Sequence, residues 1–340
     1  MRQIWISKPG KPEVLVLREA PDPRPGNGEL RIRVEASGIN FADILARIGI
    51  YPDLPAIPAV VGYEVAGRID AVGNGVDPEW MGQDVFAATR FGGYSDLVCV
   101  PLNQVFLRPE GMSAEEGAAF PVNYLTAWQL IVIMGGLQSN ETILIHSAGG
   151  GVGIAAIQIA KHIGANIIGV ASSWKHSELK KLGVDHLIDM RERNLEEEVA
   201  NLTNGKGVEL ILDPIGGASF KRSFHMLSRT GRLGMYGVST FVNAKEKDLF
   251  NLIKSVLSLP YFQFLPVTLI NSNKGVFGVN LGRMWGELDR SRLWAQELLG
   301  LWKAGTIKPK IDKSFSLEDA ASAHHYIQDR KNLGKVILKI

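Results

Sequence analysis

One stretch, ILIHSAGGGVGIAAIQIAKHIGANIIGVASS from Ile143 to Ser173, limits the fold more than any other. It reads as strand, glycine turn, helix, strand. An apolar run of strand length meets three consecutive glycines, and these open a helical period that ends at Gly164. Two apolar strands joined by a helix point to a parallel sheet covered on both faces.

The alternation continues downstream. WKHSELKKLG is a helix, HLID a strand, LEEEVANLTNG a helix, VELILDPIG a strand, SFKRSFHMLSRTG a helix and RLGMYGV a strand. A doubly wound domain over 122–262 follows from this run. The segments on either side differ. ELRIRVEASGIN alternates polar and apolar residues as a half-buried strand does, and VVGYEVAGRIDAVGNGV and GGYSDLVCVPLNQVFLRP read likewise. Ser113 with Glu116 resembles a capping box and opens the helical stretch SAEEGAAFPVNYLTAWQLIVIMGGL. Near the end, KGVFGVNLG and GKVILKI read as strands, with the helices RSRLWAQELLGLWKAG and SLEDAASAHHYIQDRKN between them. The expected architecture is α/β: a doubly wound parallel-sheet (Rossmann) domain over 122–262, inserted into a β-rich domain built from 1–121 and 263–340. A length of 340 residues suits two cores.

Bulk composition narrows the function classes. A net charge of +2 leaves no footprint for nucleic acid. Cys99 is the only cysteine, so neither an intrachain disulfide nor a multi-thiolate zinc site can form. No stretch of about 20 apolar residues is present. The nearest approach, VLSLPYFQFLPVTLI over 256–270, is broken by Pro260 and Pro266. The opening residues lack the apolar run of a signal peptide, and a cytoplasmic location is the expectation.

Ala148 to Gly153 matches AxGxxG, a relaxed dinucleotide fingerprint in the required strand–turn–helix context. Gly150 lets backbone approach a pyrophosphate, Gly153 lets helix pack on strand, and the helix N-terminus supplies N–H groups. A tight turn without a ligand is the bland alternative. About 20 residues on, a carboxylate would favour NAD. This chain has Ser172, Ser173 and Lys175 there. Two hydroxyls and a cation suit a 2′-phosphate, and a charge-assisted hydrogen bond of roughly 1.5–3 kcal/mol corresponds to about a ten- to hundredfold preference for NADPH. Lys175 as a solvated lysine and the serines as helix caps are the competing readings.

These residues resemble a family over nearly the whole chain. SGINFADILARIGIYP, AAFPVNYLTAW and SAGGGVG resemble the medium-chain dehydrogenase/reductase superfamily, in its zinc-independent quinone-oxidoreductase branch that contains zeta-crystallin. FPVNYLTAW, IDMRERN, LDPIGG, NKGVFGVNLG and GTIKPKID look closest to the vesicle amine transport protein homologues. The resemblance implies a GroES-like catalytic domain around the Rossmann domain, NADPH as cofactor, a homodimer, and a site in the cleft between domains. Asn40 and Tyr51 match positions lining the nicotinamide side. Gly150, Gly151, Val152 and Gly153 match the pyrophosphate turn, and Ser172, Ser173 and Lys175 the adenosine-phosphate end. Tyr236, Gly237, Val238 and Ser239 match the segment beside the nicotinamide ribose, Phe277, Gly278 and Val279 the segment at the nicotinamide amide, and Asn332 a further contact. Two departures stand out: Leu45 and Met190 replace residues that many quinone oxidoreductases keep as tyrosine, or as tyrosine or histidine.

Zinc-dependent relatives use cysteine, histidine and cysteine where this chain has Asn40, Tyr63 and Asn123, so no metal is expected. Without a Lewis acid, acceptors needing less activation remain: quinones and α,β-unsaturated carbonyls. Asn40 or a tyrosine hydroxyl (Tyr51, Tyr63 or Tyr124) could hydrogen-bond the developing oxyanion, with Tyr51 and Asn40 first. Glu64 and Asp213 read as structural, Cys99 as a buried small hydrophobe, and His324 and His325 as packing or surface residues. Three roles compete for 256–270: domain or subunit packing, a lid whose Tyr261, Phe262 and Phe264 stack on a flat quinone, and contact with a membrane surface. The leading function is a zinc-independent NADPH-dependent reductase of quinones or enones. The alternative is a nucleotide-bound lipid- or partner-binding protein.

Overall fold

In the computed structural model, residues 1–240 and 265–340 are described. Tyr261, Phe262 and Phe264 lie outside the described residues. The chain forms two compact units, Met1–Leu125 with Gly282–Ile340, and Thr126–Leu281.

Unit Thr126–Leu281 is built on a six-stranded sheet. Its spatial order is His186–Ile188, Asn166–Val170, Thr142–Ile145, Val208–Asp213, Leu227–Met235 and Gly275–Gly278. Every pairing is parallel. Strand order reverses between Thr142–Ile145 and Val208–Asp213, and such a switch point opens a crevice at the carboxyl ends of the strands. Ile143, Leu144, Ile145, Leu210, Ile211 and Leu212 are wholly buried, which is why these strands read as unbroken apolar runs. The helix Gly151–Ile163 stops at Gly164, whose φ of 86° is left-handed and whose amide closes on Ala160 and Lys161.

One strand belongs elsewhere than its sequence position suggests. KGVFGVNLG is expected in the β-rich domain, yet Gly275–Gly278 pairs with Arg232–Met235 as the sixth parallel strand. A Cβ on Gly234 would lie 2.8 Å from Phe277 Cζ, so the glycine makes room for that ring. The units accordingly divide after residues 125 and 281, in place of the expected 121 and 262.

The other unit carries a seven-stranded sheet. Ile311–Ser316, Lys335–Lys339, Glu29–Gly38, Glu64–Val72, Asp84–Ala88 and Val105–Leu107 lie in that order, with Leu97–Pro101 pairing Glu29–Gly38 off the path. Leu30, Ile32 and Val34, on the apolar beat of ELRIRV, enter one core with Val65, Ile69, Val85 and Val100. A second core under Arg2–Ile6 holds Ile4, Ile6, Ile39, Tyr94 and Ala323. The expected capping box is present, with Ser113 and Glu116 each accepting the other's amide at 3.1 Å. The helical stretch after it is broken into Ala114–Ala119 and Pro121–Trp128. Pro121 lacks the N–H that continuing the first helix requires, but it starts a new one readily.

Candidate active site

The glycine turn lies at the switch point. His146 follows the strand Thr142–Ile145 directly, and its amide bonds Leu212 O at 3.1 Å. The turn is closed by Gly150 N–H to Ser147 O at 2.8 Å. Gly150 caps the helix Gly151–Ile163 in extended conformation, with no side chain capping it. Among the described residues the first amides of this helix therefore have neither a helical nor a side-chain acceptor, which suits an anion. A Cβ on Gly153 would lie 2.5 Å from Ser147 O, so only glycine lets helix and turn approach so closely. A Cβ on Gly150 would be 3.2 Å from the same oxygen. Turn, open amides and position fit a dinucleotide pyrophosphate.

Ser172, Ser173 and Lys175 follow the neighbouring strand Asn166–Val170. Lys175 is buried, its Nζ 5.0 Å from the centre of the Trp174 ring. Ser172 does not cap the following turn through its side chain. Ser173 N–H instead donates to Asp189 Oδ2 at 2.7 Å. The same carboxylate takes the Arg191 guanidinium, Nη2 at 2.6 Å and Nε at 3.0 Å. Arg191 holds the Asp189 carboxyl far below the usual carboxylate range. This Asp189–Arg191 pair sits within IDMRERN, where sequence alone draws attention only to Met190.

Beyond the strand Val208–Asp213, Asp213 anchors the loop as its sequence context suggests. Its Oδ1 accepts Ile215 N–H at 2.7 Å, and its Oδ2 accepts the hydroxyls of Ser219 and Ser223 at 2.6 and 2.7 Å. Because Ser223 donates there, it accepts from His146 Nε2, 3.1 Å away. Burial pushes His146 below the usual imidazole range, and the neutral ring joins the glycine-turn strand to this loop. Tyr236 to Ser239 run alongside: Tyr236 N–H meets Asp213 O and Ser239 N–H meets Pro214 O. Val279 N–H bonds Met235 O at 2.9 Å, which seats Phe277, Gly278 and Val279 at the same edge. The expected cofactor residues of this unit thus share the carboxyl edge of one sheet.

In the other unit, Asn40 is locked. Lys335 Nζ donates to Asn40 Oδ1 at 2.6 Å, Asn40 Nδ2 donates to Glu64 Oε1 at 2.8 Å, and Lys335 also bonds that carboxylate. Glu64 Oε2 accepts Val122 N–H at 2.8 Å. Gly38 creates the space, since a Cβ there would meet Glu64 Oε1 at 2.7 Å and Lys335 Cε at 2.8 Å. Asp43 fixes the surrounding backbone, accepting Asn40 N–H at 2.7 Å and Gly62 N–H at 3.0 Å. Burial raises its carboxyl to about 7. From sequence, the Asn40 amide is a candidate to hold the oxyanion. In the structure both ends of that amide face the buried Lys335–Glu64 ion pair.

The tyrosines separate by access. Tyr124 is buried and stacked on Phe120 at 5.0 Å. Tyr63 is buried between Tyr51 at 5.8 Å and Phe91 at 5.2 Å. Tyr51 is only partly buried, and burial raises its hydroxyl, so it stays protonated at neutral pH. Asn332 donates to Gly334 O at 2.9 Å in the turn leading to Lys335. Lys335 and Asp43 are not identifiable from sequence: each is one polar residue in an ordinary strand or helix pattern, with no local sign of its distant partner. His324 is buried against the Tyr94 hydroxyl at 3.0 Å, and His325 faces Glu13 at 2.7 Å. Cys99 is half-buried rather than buried, on the opposite face of its strand from the buried Val98 and Val100.

Residues 26–110 match the alcohol dehydrogenase GroES-like domain, and residues 151–282 match the zinc-binding dehydrogenase model. The human synaptic vesicle membrane protein VAT-1 homolog is 37% identical over 94% of this chain and 81% of its own length. The chain belongs to the medium-chain dehydrogenase/reductase superfamily. The zebrafish VAT-1 homolog is 38% identical over 92% of the chain, which spans 64% of that protein. Among solved structures, the Escherichia coli quinone oxidoreductase complexed with NADPH superposes with a TM-score of 0.88 at 28% identity, covering all of both chains. The CurK enoyl reductase gives 0.84 at 28%, over 99% of this chain and 98% of its own. The fold is accordingly the superfamily's GroES-like domain with a Rossmann-like parallel sheet.

One of the matching family models is named for zinc, and the donors here do not fit that metal. Asn40 already receives a lysine ammonium, Tyr63 is held in an aromatic stack, and Asn123 donates to Ala119 O at 3.3 Å. Among the described residues no group of three or more His, Cys, Asp or Glu could hold a metal ion.

Proposed function

We propose that this chain is a zinc-independent, NADPH-dependent oxidoreductase that reduces quinones or α,β-unsaturated carbonyls. The observation that carries the reading is the uncapped helix N-terminus at the strand-order switch, where a Cβ on Gly153 would lie 2.5 Å from Ser147 O. NADPH, when bound, supplies the hydride. The amides of Gly151, Val152 and Gly153 hold its pyrophosphate, and Ser172, Ser173 and Lys175 hold the adenosine phosphate. Phe277, Gly278, Val279 and the 236–239 segment position the nicotinamide half, and Asn40 and Asn332 are further candidate contacts. The protein orients the reactants rather than supplying a reactive group. Tyr51 keeps its proton and donates a hydrogen bond to the acceptor oxygen as that oxygen turns negative. Asn40 acts through its fixed position beside Lys335.

Quinones and enones fit because neither needs a Lewis acid, and at one ligand position of the zinc-dependent relatives Asn40 already accepts a lysine ammonium. The E. coli relative is named a quinone oxidoreductase and holds NADPH, and CurK is named an enoyl reductase. The strand Gly275–Gly278 ends the parallel sheet. An edge strand with one described partner supports a homodimer joined through it. No helix among the described residues is long and apolar enough to cross a membrane, and a cytoplasmic location completes the reading.

One observation favours the binding alternative. Leu265, Val267 and Ile270 expose 55%, 66% and 71% of their surface among the described residues, and the relatives are named vesicle membrane proteins. A panel of ortho-quinones and simple enones, assayed with NADPH and with NADH, separates the two readings. Turnover with one acceptor class supports the reductase. NADPH binding without turnover, together with co-sedimentation on liposomes, transfers the reading to the binder.

A further inference from the structure

The end of the sheet beside Ser172, Ser173 and Lys175 holds a second cation, Arg191. The strands Asn166–Val170 and His186–Ile188 are parallel neighbours, and Val170 lies opposite Ile188. Both chain segments leave the sheet at the same edge as the glycine turn. One leads into Ser172, Ser173 and Lys175, the other into Asp189, Met190 and Arg191. Asp189 ties the two exits together. Its Oδ2 accepts Ser173 N–H at 2.7 Å and Arg191 Nη2 at 2.6 Å, and its Oδ1 accepts Arg191 N–H and Nε, both at 3.0 Å.

We infer that Arg191, held in place by Asp189, reads the 2′-phosphate of the cofactor alongside Lys175, with Asp189 as its positioning residue. The two cations at this edge are differently placed. Lys175 is 8% exposed and packed on the Trp174 ring. The Arg191 side chain is 66% exposed. Asp189 engages Nε and Nη2 and leaves Nη1, with both its protons, unused by any described group. A guanidinium fixed on one edge by a carboxylate is pre-organised, so it loses little freedom on gripping a second anion with its other edge. The pair also prevents a wrong reading of this edge. A bare carboxylate beside the ribose favours a free 2′-hydroxyl and repels a 2′-phosphate. Asp189 is buried, faces three N–H groups of Arg191 and one of Ser173, and presents no such charge.

The inference rests on the NADPH reading, and one titration separates their failures. Affinities for NADPH, NADH, 2′,5′-ADP and 5′-AMP are measured on the wild type, Arg191→Ala, Arg191→Lys and Arg193→Ala. Arg193, a nearby arginine paired with Glu198 at 3.3 Å, controls for loss of surface charge alone. Thermal melts report whether each variant is folded. The expected result is a loss of about tenfold or more for NADPH and 2′,5′-ADP in Arg191→Ala. NADH and 5′-AMP should stay within about twofold, with partial rescue by lysine and no change in Arg193→Ala. A wild type that prefers NADPH while Arg191→Ala weakens both dinucleotides equally, or neither, overturns the inference alone. A wild type that binds NADH as tightly as NADPH and ignores 2′,5′-ADP overturns the NADPH reading and the inference with it.

Discussion

Lys335 reaches Asn40 across 295 positions of sequence and donates to its side-chain oxygen at 2.6 Å. Both residues are buried, and the neutralising carboxylate is Glu64, itself wholly buried. A polar knot of this kind defines one orientation of the Asn40 amide. It also places a cation beside Asn40, one of the positions that would have to bind zinc.

Removing one member should be costly. Lys335→Met leaves Glu64 as an uncompensated buried charge, for which a loss of about 3–5 kcal/mol is expected. Adding Glu64→Gln should restore part of it, because the double variant buries no net charge. Urea unfolding of both variants checks this. A Lys335→Met protein within about 1 kcal/mol of wild type, as for loss of an exposed ion pair, would contradict the burial argument.

The two glycines of the turn should separate by mechanism. Gly153→Ala places a methyl 2.5 Å from Ser147 O, so the apo protein itself should melt lower. Gly150→Ala meets that oxygen at 3.2 Å and should barely change the apo melt. It should still weaken NADPH, since the added methyl lies where the pyrophosphate approaches. Differential scanning fluorimetry with and without cofactor reads both effects.

Lys175→Ala should raise the Michaelis constant for NADPH by about tenfold, the equivalent of one charge-assisted contact. The constant for NADH should hardly change. Equal changes for both cofactors would show that Lys175 supports the turn through its packing on Trp174 and not through the phosphate.

How much of this is legible in the sequence depends on the range of the interaction. The parallel sheet, the turn and the Ser113–Glu116 cap can be read because each is a local pattern, with partners at most a few residues apart. Arg191 lies within a recognisable motif, but its meaning depends on Ser173, contributed by the neighbouring strand. Lys335, Glu64 and Asn40 come from three distant segments, and no periodicity announces their meeting. The strand Gly275–Gly278 is misplaced by sequence reasoning for the same reason. Its partner is marked by the fit of Phe277 over Gly234, a residue of a strand distant in sequence.

Cys99 should be a poor nucleophile. Burial pushes its thiol up to about 11, so the thiolate is scarce at neutral pH and grows as pH climbs through 10 to 11. Alkylation at pH 7.5 should run on the order of 100-fold slower than for a thiol of ordinary pKa. Iodoacetamide labelling followed by mass, repeated up to pH 10, measures this. Rapid labelling at neutral pH would show that the site is more open.

The central claim is hydride transfer from NADPH without a metal. Its most direct test is the rate of NADPH oxidation with an ortho-quinone or enone acceptor, before and after exhaustive chelation of the protein. The account predicts turnover unchanged by chelation and much slower with NADH. Activity that disappears on chelation and returns with added zinc would contradict it.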